Sequence, residues 1–184
     1  MNLQRKSLKL VIIASIISLI LSTLVGCFGG GVSKKVDKSL KTVQSATLNV
    51  AVKDGDTEVY SLNKTISFID GGANVITVTK KLNPNTFDFK EETLSEFVEN
   101  TTGKDVISLN LNKEIFASES KDGDVVTAKV SKSKANEFFG VVDAKANSDI
   151  TVKFVFAKKK LQSITISYVL TSGKTVEMSA TYTY

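Results

Sequence analysis

The chain has 184 residues, with 24 basic and 19 acidic side chains, no His, no Trp, one Cys and one Pro. The missing histidine removes imidazole acid–base chemistry and imidazole metal ligation, and the single cysteine rules out an internal disulfide. Arg5, Lys6 and Lys9 account for all the charge in the first 26 residues, which leaves 21 basic against 19 acidic residues beyond them. That balance of +2 lacks the basic stripe that nucleic-acid binding needs. No Arg follows Arg5, so the bidentate guanidinium fork favoured for phosphate and carboxylate is also absent.

A basic start, an apolar run over 10–25 and a small residue at Gly26 describe an export signal. Leu24-Val25-Gly26-Cys27 resembles the bacterial lipobox. The resemblance implies a diacylglyceryl group on the Cys27 sulfur and cleavage that leaves Cys27 as the first residue. A single acyl chain holds a protein marginally, whereas two or more anchor it stably. Residues 1–26 are therefore expected to be a lipoprotein signal, 27–33 the lipidated cysteine with a glycine tether, and 34–184 one domain. Beyond Arg5 the Lys-only, Pro-poor composition suits an AT-rich genome and a single-membrane cell, where the expected place is the outer face of the cytoplasmic membrane; in a two-membrane cell the protein could be sorted outward, since Phe28 is not the aspartate associated with inner-membrane retention.

Ser33 is placed to cap a first helix, and Val36, Leu40 and Val43 recur at helical spacing, which predicts an amphipathic helix over 34–45. The period then changes to two. Leu48, Val50 and Val52 share one face over 46–53, and Asp54-Gly55 marks a tight turn. A return strand over 57–69 places Tyr60, Leu62, Ile66 and Phe68 on one side, with Lys64 interrupting the row. A third strand, after Asp70-Gly-Gly72, is expected to turn Ile76, Val78 and Leu82 inward.

Asp88 and Glu91 form a capping-box pattern, and Leu94, Phe97 and Val98 follow at helical spacing, so 89–101 reads as a short acidic helix. Residues 105–120 fit either a strand through Ile107, Leu109 and Leu111 or a helical turn at 112–117. A strand through Val126, Ala128 and Val130 follows, then a short helix from Ser133 to Phe139 ended by Gly140. The C-terminal third alternates most cleanly. Ile150 to Phe156, Ile164 to Leu170 and Val176 to Tyr184 read as three long antiparallel strands, apolar on one face and rich in Thr and Ser on the other.

Several short patterns imitate chemistry. Asp54-Gly-Asp56-Thr-Glu58 begins like a calcium loop but has Val59 where the invariant glycine belongs, so it reads as a hairpin turn, as does Asp122-Gly-Asp124. Ser172-Gly-Lys-Thr175 copies the end of a phosphate loop, but the position that needs the earlier glycine is Tyr168. Ser118 with Lys121 and Ser131 with Lys134 match a Ser/Lys spacing, yet an active lysine needs burial to lower its pKa, and both pairs sit by predicted turns. Glu91, Glu92, Glu96 and Glu99 read as a solvated acidic helix face and Lys158–Lys160 as a hairpin tip. No catalytic residue, metal site or cofactor is expected, and the chain does not read as an enzyme.

Strands of about ten residues span roughly 33 Å. Few short helices are available to cover so long an apolar face, and soluble domains rarely expose more than a few hundred Å2 of contiguous apolar surface. The expected fold is therefore α+β and β-rich: a curved antiparallel sheet, or half-barrel, with an N-terminal helix and short helices over its concave face. This order of elements over 34–184 resembles the half-barrel lipoproteins related to the periplasmic lipoprotein carrier (LolA-like and LppX-like). The resemblance implies a lipid or other apolar ligand in the concavity, lined by Val152, Phe154, Phe156, Ile166, Tyr168, Met178 and Tyr182. The alternative is a dry core in a surface structural or protein-interaction module. The expected partners are the membrane through the acyl anchor on Cys27, an apolar ligand or an envelope protein, and no nucleic acid.

Overall fold

Period-two alternation carries through from sequence to structure. The computed structural model describes residues 32–184, so the signal, Cys27 and the tether lie outside the described residues. Nine strands form one open sheet: β1 (Ser45–Asp54), β2 (Thr57–Ile69), β3 (Gly72–Leu82), β4 (Phe89–Glu99), β5 (Phe116–Asp122), β6 (Val125–Val130), β7 (Ile150–Ala157), β8 (Lys160–Val169) and β9 (Thr175–Thr183). Their spatial order is β4-β3-β2-β1-β9-β8-β7-β6-β5, and every neighbouring pair is antiparallel. Two meanders thus meet where the first strand pairs with the last, Val50 opposite Met178 and Ala46 opposite Tyr182. Two short helices, α1 (Val32–Leu40) and α2 (Ala135–Phe139), lie outside the sheet.

One face of the sheet is covered. Ala46, Leu48, Val50 and Val52 of β1 share it with Val176, Met178, Ala180 and Tyr182 of β9 and with Ile164, Ile166 and Tyr168 of β8, all buried. Helix α1 packs on β8 and buries Val32, Val36 and Leu40, one turn apart on a single stripe. Ser39, on the same side, accepts from the Leu161 amide at 3.0 Å and donates to the Lys35 carbonyl at 2.8 Å. Irregular chain after a 3-10 turn at Gly103–Asp105 lays Val106, Ile107 and Leu109 into the core. Gly103 makes this possible, because a Cβ there would strike the Leu40 carbonyl and come within 3.1 Å of the Val43 side chain. A second 3-10 turn at Lys113–Ile115 contributes Ile115, and α2 contributes Phe138, which stacks edge-on with Phe139 and Phe116. Gly140 ends α2 in the left-handed conformation, φ 64°, as a C-cap requires.

Three expectations are corrected. The first helix spans Val32–Leu40 rather than 34–45, so Ser33 lies inside it and Val43 follows it. Residues 89–101 do not form an acidic helix. Phe89–Glu99 is strand β4, zipped onto β3 from Leu82–Phe89 to Gly72–Glu99 without a bulge. The hairpin satisfies a long run of backbone groups, and in this sheet no surface waits for the apolar stripe of a helix there. Strand β3 faces the other way from the expectation: Ala73 and Val75 are buried while Ile76 is 47 % exposed. Apolar residues occupy both faces of β3, and the Asp70-Gly71 turn, which pairs Ile69 with Gly72, sets the register.

Candidate functional site

The seven residues expected to line a ligand cavity all lie on the covered face and none is more than 7 % exposed. Their neighbours are the chain's own side chains. Phe139 tilts over Tyr168 with ring centroids 5.3 Å apart, and Val126 and Ala128 of β6 stand opposite Phe154 and Val152. Burial pushes the Tyr168 hydroxyl up to about 12 and the Tyr182 hydroxyl higher still, with Tyr184 close by adding to the second shift. The Tyr182 hydroxyl is buried without a hydrogen-bond partner, whereas that of Tyr184 donates to the Leu161 carbonyl at 2.7 Å. A cavity of about 20 Å3 opens further along the same face, between Leu48, Leu62, Ile66, Val75 and Val98. That is room for about one water and far less than an acyl chain needs.

Lys64 and Glu96 border that cavity. Lys64 sits between Leu62 and Ile66 on the covered face, and burial holds its ammonium below the ordinary range, although Glu96 pulls in the opposite direction. The interruption noted in the sequence is therefore a half-buried lysine at the rim of the core.

The turn patterns fall where turns are. Gly55, Gly123 and Gly173 have φ of 58°, 55° and 84° in the β1–β2, β5–β6 and β8–β9 turns, and Lys158 and Lys159 take positive φ in the β7–β8 turn. Lys174 pairs with Asp54 across two of these turns. Among the described residues no group of three or more His, Cys, Asp or Glu side chains is placed to hold a metal ion, and no helix is long and apolar enough to cross a membrane.

Sequence reasoning placed β3 as a strand but missed β4, which pairs with it to form a wing of the sheet. Along β4 the even-numbered side chains share the covered face with Lys64, and the odd-numbered ones point to the opposite, outer face. The Glu91–Lys80 ion pair, 2.9 Å, lies on the outer face, and the Lys90–Glu92 pair, 2.6 Å, on the other. The four glutamates are thus divided between two faces instead of lining one helix. Among the described residues little covers β4, whose side chains from Phe89 to Phe97 are all exposed, whereas Ala73 and Val75 of β3 are buried. Phe89 and Phe97 are each 49 % exposed and Leu94 56 %. The Phe97 ring lies across Gly72, where an added Cβ would come within 2.9 Å of its Cζ and would strike the Val98 carbonyl. The outward apolar residues in 89–97 were the available signal, but their spacing also fits a helix.

A second exposed feature is basic. Lys34, Lys38, Lys41 and Lys104 surround an open basin beside α1, where Lys104 pairs with Asp37 at 2.9 Å.

No family model and no curated protein matches the chain. Among solved structures it overlaps a bifunctional dehydratase-cyclase domain in ambruticin biosynthesis at 8 % identity and a TM-score of 0.26, covering 80 % of this chain and 76 % of that one. A fusion DH domain overlaps at 10 % identity and a TM-score of 0.25, covering 77 % and 71 %. The dehydratase domain from the CurK module of a curacin polyketide synthase overlaps at 10 % and 0.20, covering 78 % and 77 %. Overlaps this loose carry no argument about reaction or site.

Proposed function

We propose that the chain is an exported, lipid-anchored protein whose folded domain is an interaction module on the outer face of the cytoplasmic membrane, docking a protein along the bare β4 edge. In this reading the sheet is a shallow half-barrel whose concave side is filled by α1, α2 and residues 103–115. One observation carries it: the face expected to hold a guest is packed with the protein's own side chains, while β4 is 11 residues long with one side chain short of exposed throughout. Exposed edge strands that are long and partly apolar are templates for added strands. The lysines around the α1 basin support the orientation. Lys34, Lys38 and Lys41 follow closely on the tether, and each cation near anionic headgroups is worth roughly 1 kcal/mol.

The apolar-ligand reading keeps one observation in its favour, the unpartnered Tyr182 hydroxyl, which a guest's polar end would satisfy. The two readings part in one experiment. A photoreactive side chain is placed at Ser95 on β4 or at Ser118 on β5 of the full chain in membranes, and native mass spectra are taken of the extracted protein. The proposal expects protein adducts from position 95, none from 118, and no apolar species beyond the anchor. Absence of an adduct at 95 together with a retained lipid would overturn it in favour of the ligand reading.

A further inference from the structure

The β4 edge has a geometry that selects its partner. Two hydrogen bonds flanking the β3–β4 ladder, Asn83 N–H to the Asp88 carbonyl at 2.8 Å and Asn100 N–H to the Gly71 carbonyl at 2.9 Å, fix its phase. With no bulge between them, the even-numbered residues of β4 turn their backbone groups to β3. Among the described residues, Phe89, Glu91, Thr93, Ser95 and Phe97 therefore present unpaired N–H and C=O groups at the open edge, while the Glu99 carbonyl accepts from the Thr101 hydroxyl at 3.4 Å. A further antiparallel strand must meet these odd positions with outward-facing backbone groups of its own.

We infer that this strand is β4 of a second copy, paired antiparallel about a two-fold axis at Thr93; the inference rests on the interaction-module reading and names its partner. In that register Thr93 meets Thr93, Glu91 meets Ser95 and Phe89 meets Phe97, all hydrogen-bonded pairs of odd positions. On the other face Lys90 meets Glu96 and Glu92 meets Leu94. Every unlike charge pair and every aromatic pair occurs twice by symmetry, and no like charges stand opposite. Moving the axis along the strand loses this. An axis at Leu94 sets Glu92 against Glu96, at Glu92 it sets that residue against itself, at Ser95 it sets Glu91 against Glu99, and at Glu91 it again opposes two glutamates. Like charges directly opposite destabilise a sheet, so among the registers that overlap at least seven residues of β4, charge chooses the one centred on Thr93.

The same register explains why two exposed phenylalanines stand eight positions apart. Along one strand that is roughly 26 Å, beyond contact. Across the two-fold each ring lies beside the other kind, Phe89 against Phe97, over Gly72 and Leu82 of the flanking strands. At the opposite edge, β5 has a register shift between Phe116 and Ser118 and only seven residues, features that disfavour strand addition.

The test uses the full chain in detergent micelles, followed by sedimentation and by mild oxidation of single-cysteine additions. The parent chain, whose one cysteine is Cys27, sets the oxidation background. Thr93→Cys is expected to form a covalent dimer well above that background, and Ser95→Cys is not. Lys90→Glu is expected to weaken self-association about tenfold, since it creates two like-charge pairs. Adding Glu96→Lys should restore it, although the two residues do not touch within one copy; thermal melts separate loss of fold from loss of pairing. A chain that sediments as a monomer throughout, or a double variant without recovery, overturns self-pairing. Should the adduct at position 95 then have the mass of an unlike protein, the interaction module survives and only its symmetry falls.

Discussion

Strands β7–β9 and the wing β3–β4 belong to one sheet and are held by the same kind of backbone ladder, yet they differ in what lies above them. Phe154, Ile164 and Ile166 are essentially inaccessible beneath α1, α2 and the 103–115 segment, whereas the side chains of β4 meet water on both faces. A hydrogen-bonded ladder therefore does not by itself make a core. Burial does, and it fades across the sheet from β8 towards β4. The wing is a strand platform extending from the buried part of the sheet.

The largest effect should come from the covered half. Phe154→Ala removes a fully buried ring and should cost about 3–5 kcal/mol in urea unfolding. Phe97→Ala in the wing should cost under about 1 kcal/mol, because half of that ring is already wet. Equal costs would erase the distinction between the two regions.

The paired tyrosines sharpen it. Tyr182→Phe deletes a buried hydroxyl that bonds nothing and should stabilise by about 1 kcal/mol, while Tyr184→Phe loses a bond to Leu161 and should destabilise by a similar amount. The raised pKa of Tyr168 and Tyr182 means that the unfolded chain ionises first. Stability present below pH 10 should decline as pH climbs from 10 towards 12, and Tyr182→Phe should flatten that decline in an alkaline titration followed by circular dichroism.

The smallest effect should lie at the boundary between the regions. Lys64→Leu exchanges a half-buried ammonium for apolar contact with Leu62 and Ile66 and should raise stability by about 0.5–1 kcal/mol. Because burial lowers the lysine's pKa in the fold, the unfolded chain holds the proton more tightly. Wild-type stability should therefore rise with pH in the window just below 10.5, and its gap to the variant should close there.

How much was readable follows the same gradient. The C-terminal strands could be placed from sequence because one buried face and one wet face impose strict alternation on Ile150 to Tyr184. The β2 bounds and the α2 stop at Gly140 were equally legible, being set by local turn chemistry. β4 was not, since a strand exposed on both faces has no burial pattern to declare it, and Asp88, Glu91, Leu94 and Phe97 satisfy a helical rule by spacing alone. The inward face of β3 was lost for a related reason, as Val75 and Ile76 are equally apolar neighbours. The β1–β9 pairing joins opposite ends of the chain, and no local pattern encodes it. As for the candidate site, Val152 to Tyr182 do lie on a buried face, as their alternation implies, but the sequence could not show that α1, the 103–115 segment and α2 would lie above them.

That central seam also bears on how the sheet is assembled. Lys53 of β1 and Glu177 of β9 bond at 2.8 Å across 124 residues of chain, while the remaining strand contacts join sequence neighbours. Most of each meander can close hairpin by hairpin on a microsecond scale, with β6 and β7 joined through α2, but the seam must bring distant segments together and bear the entropy of a long loop. Until β9 docks, β1 is a second raw edge, and the half-sheets expose Leu48, Val50, Met178 and Tyr182 together. Closure of this seam is therefore the step expected to be slowest and most exposed to aggregation, and it lies at the centre of the finished sheet rather than at its rim.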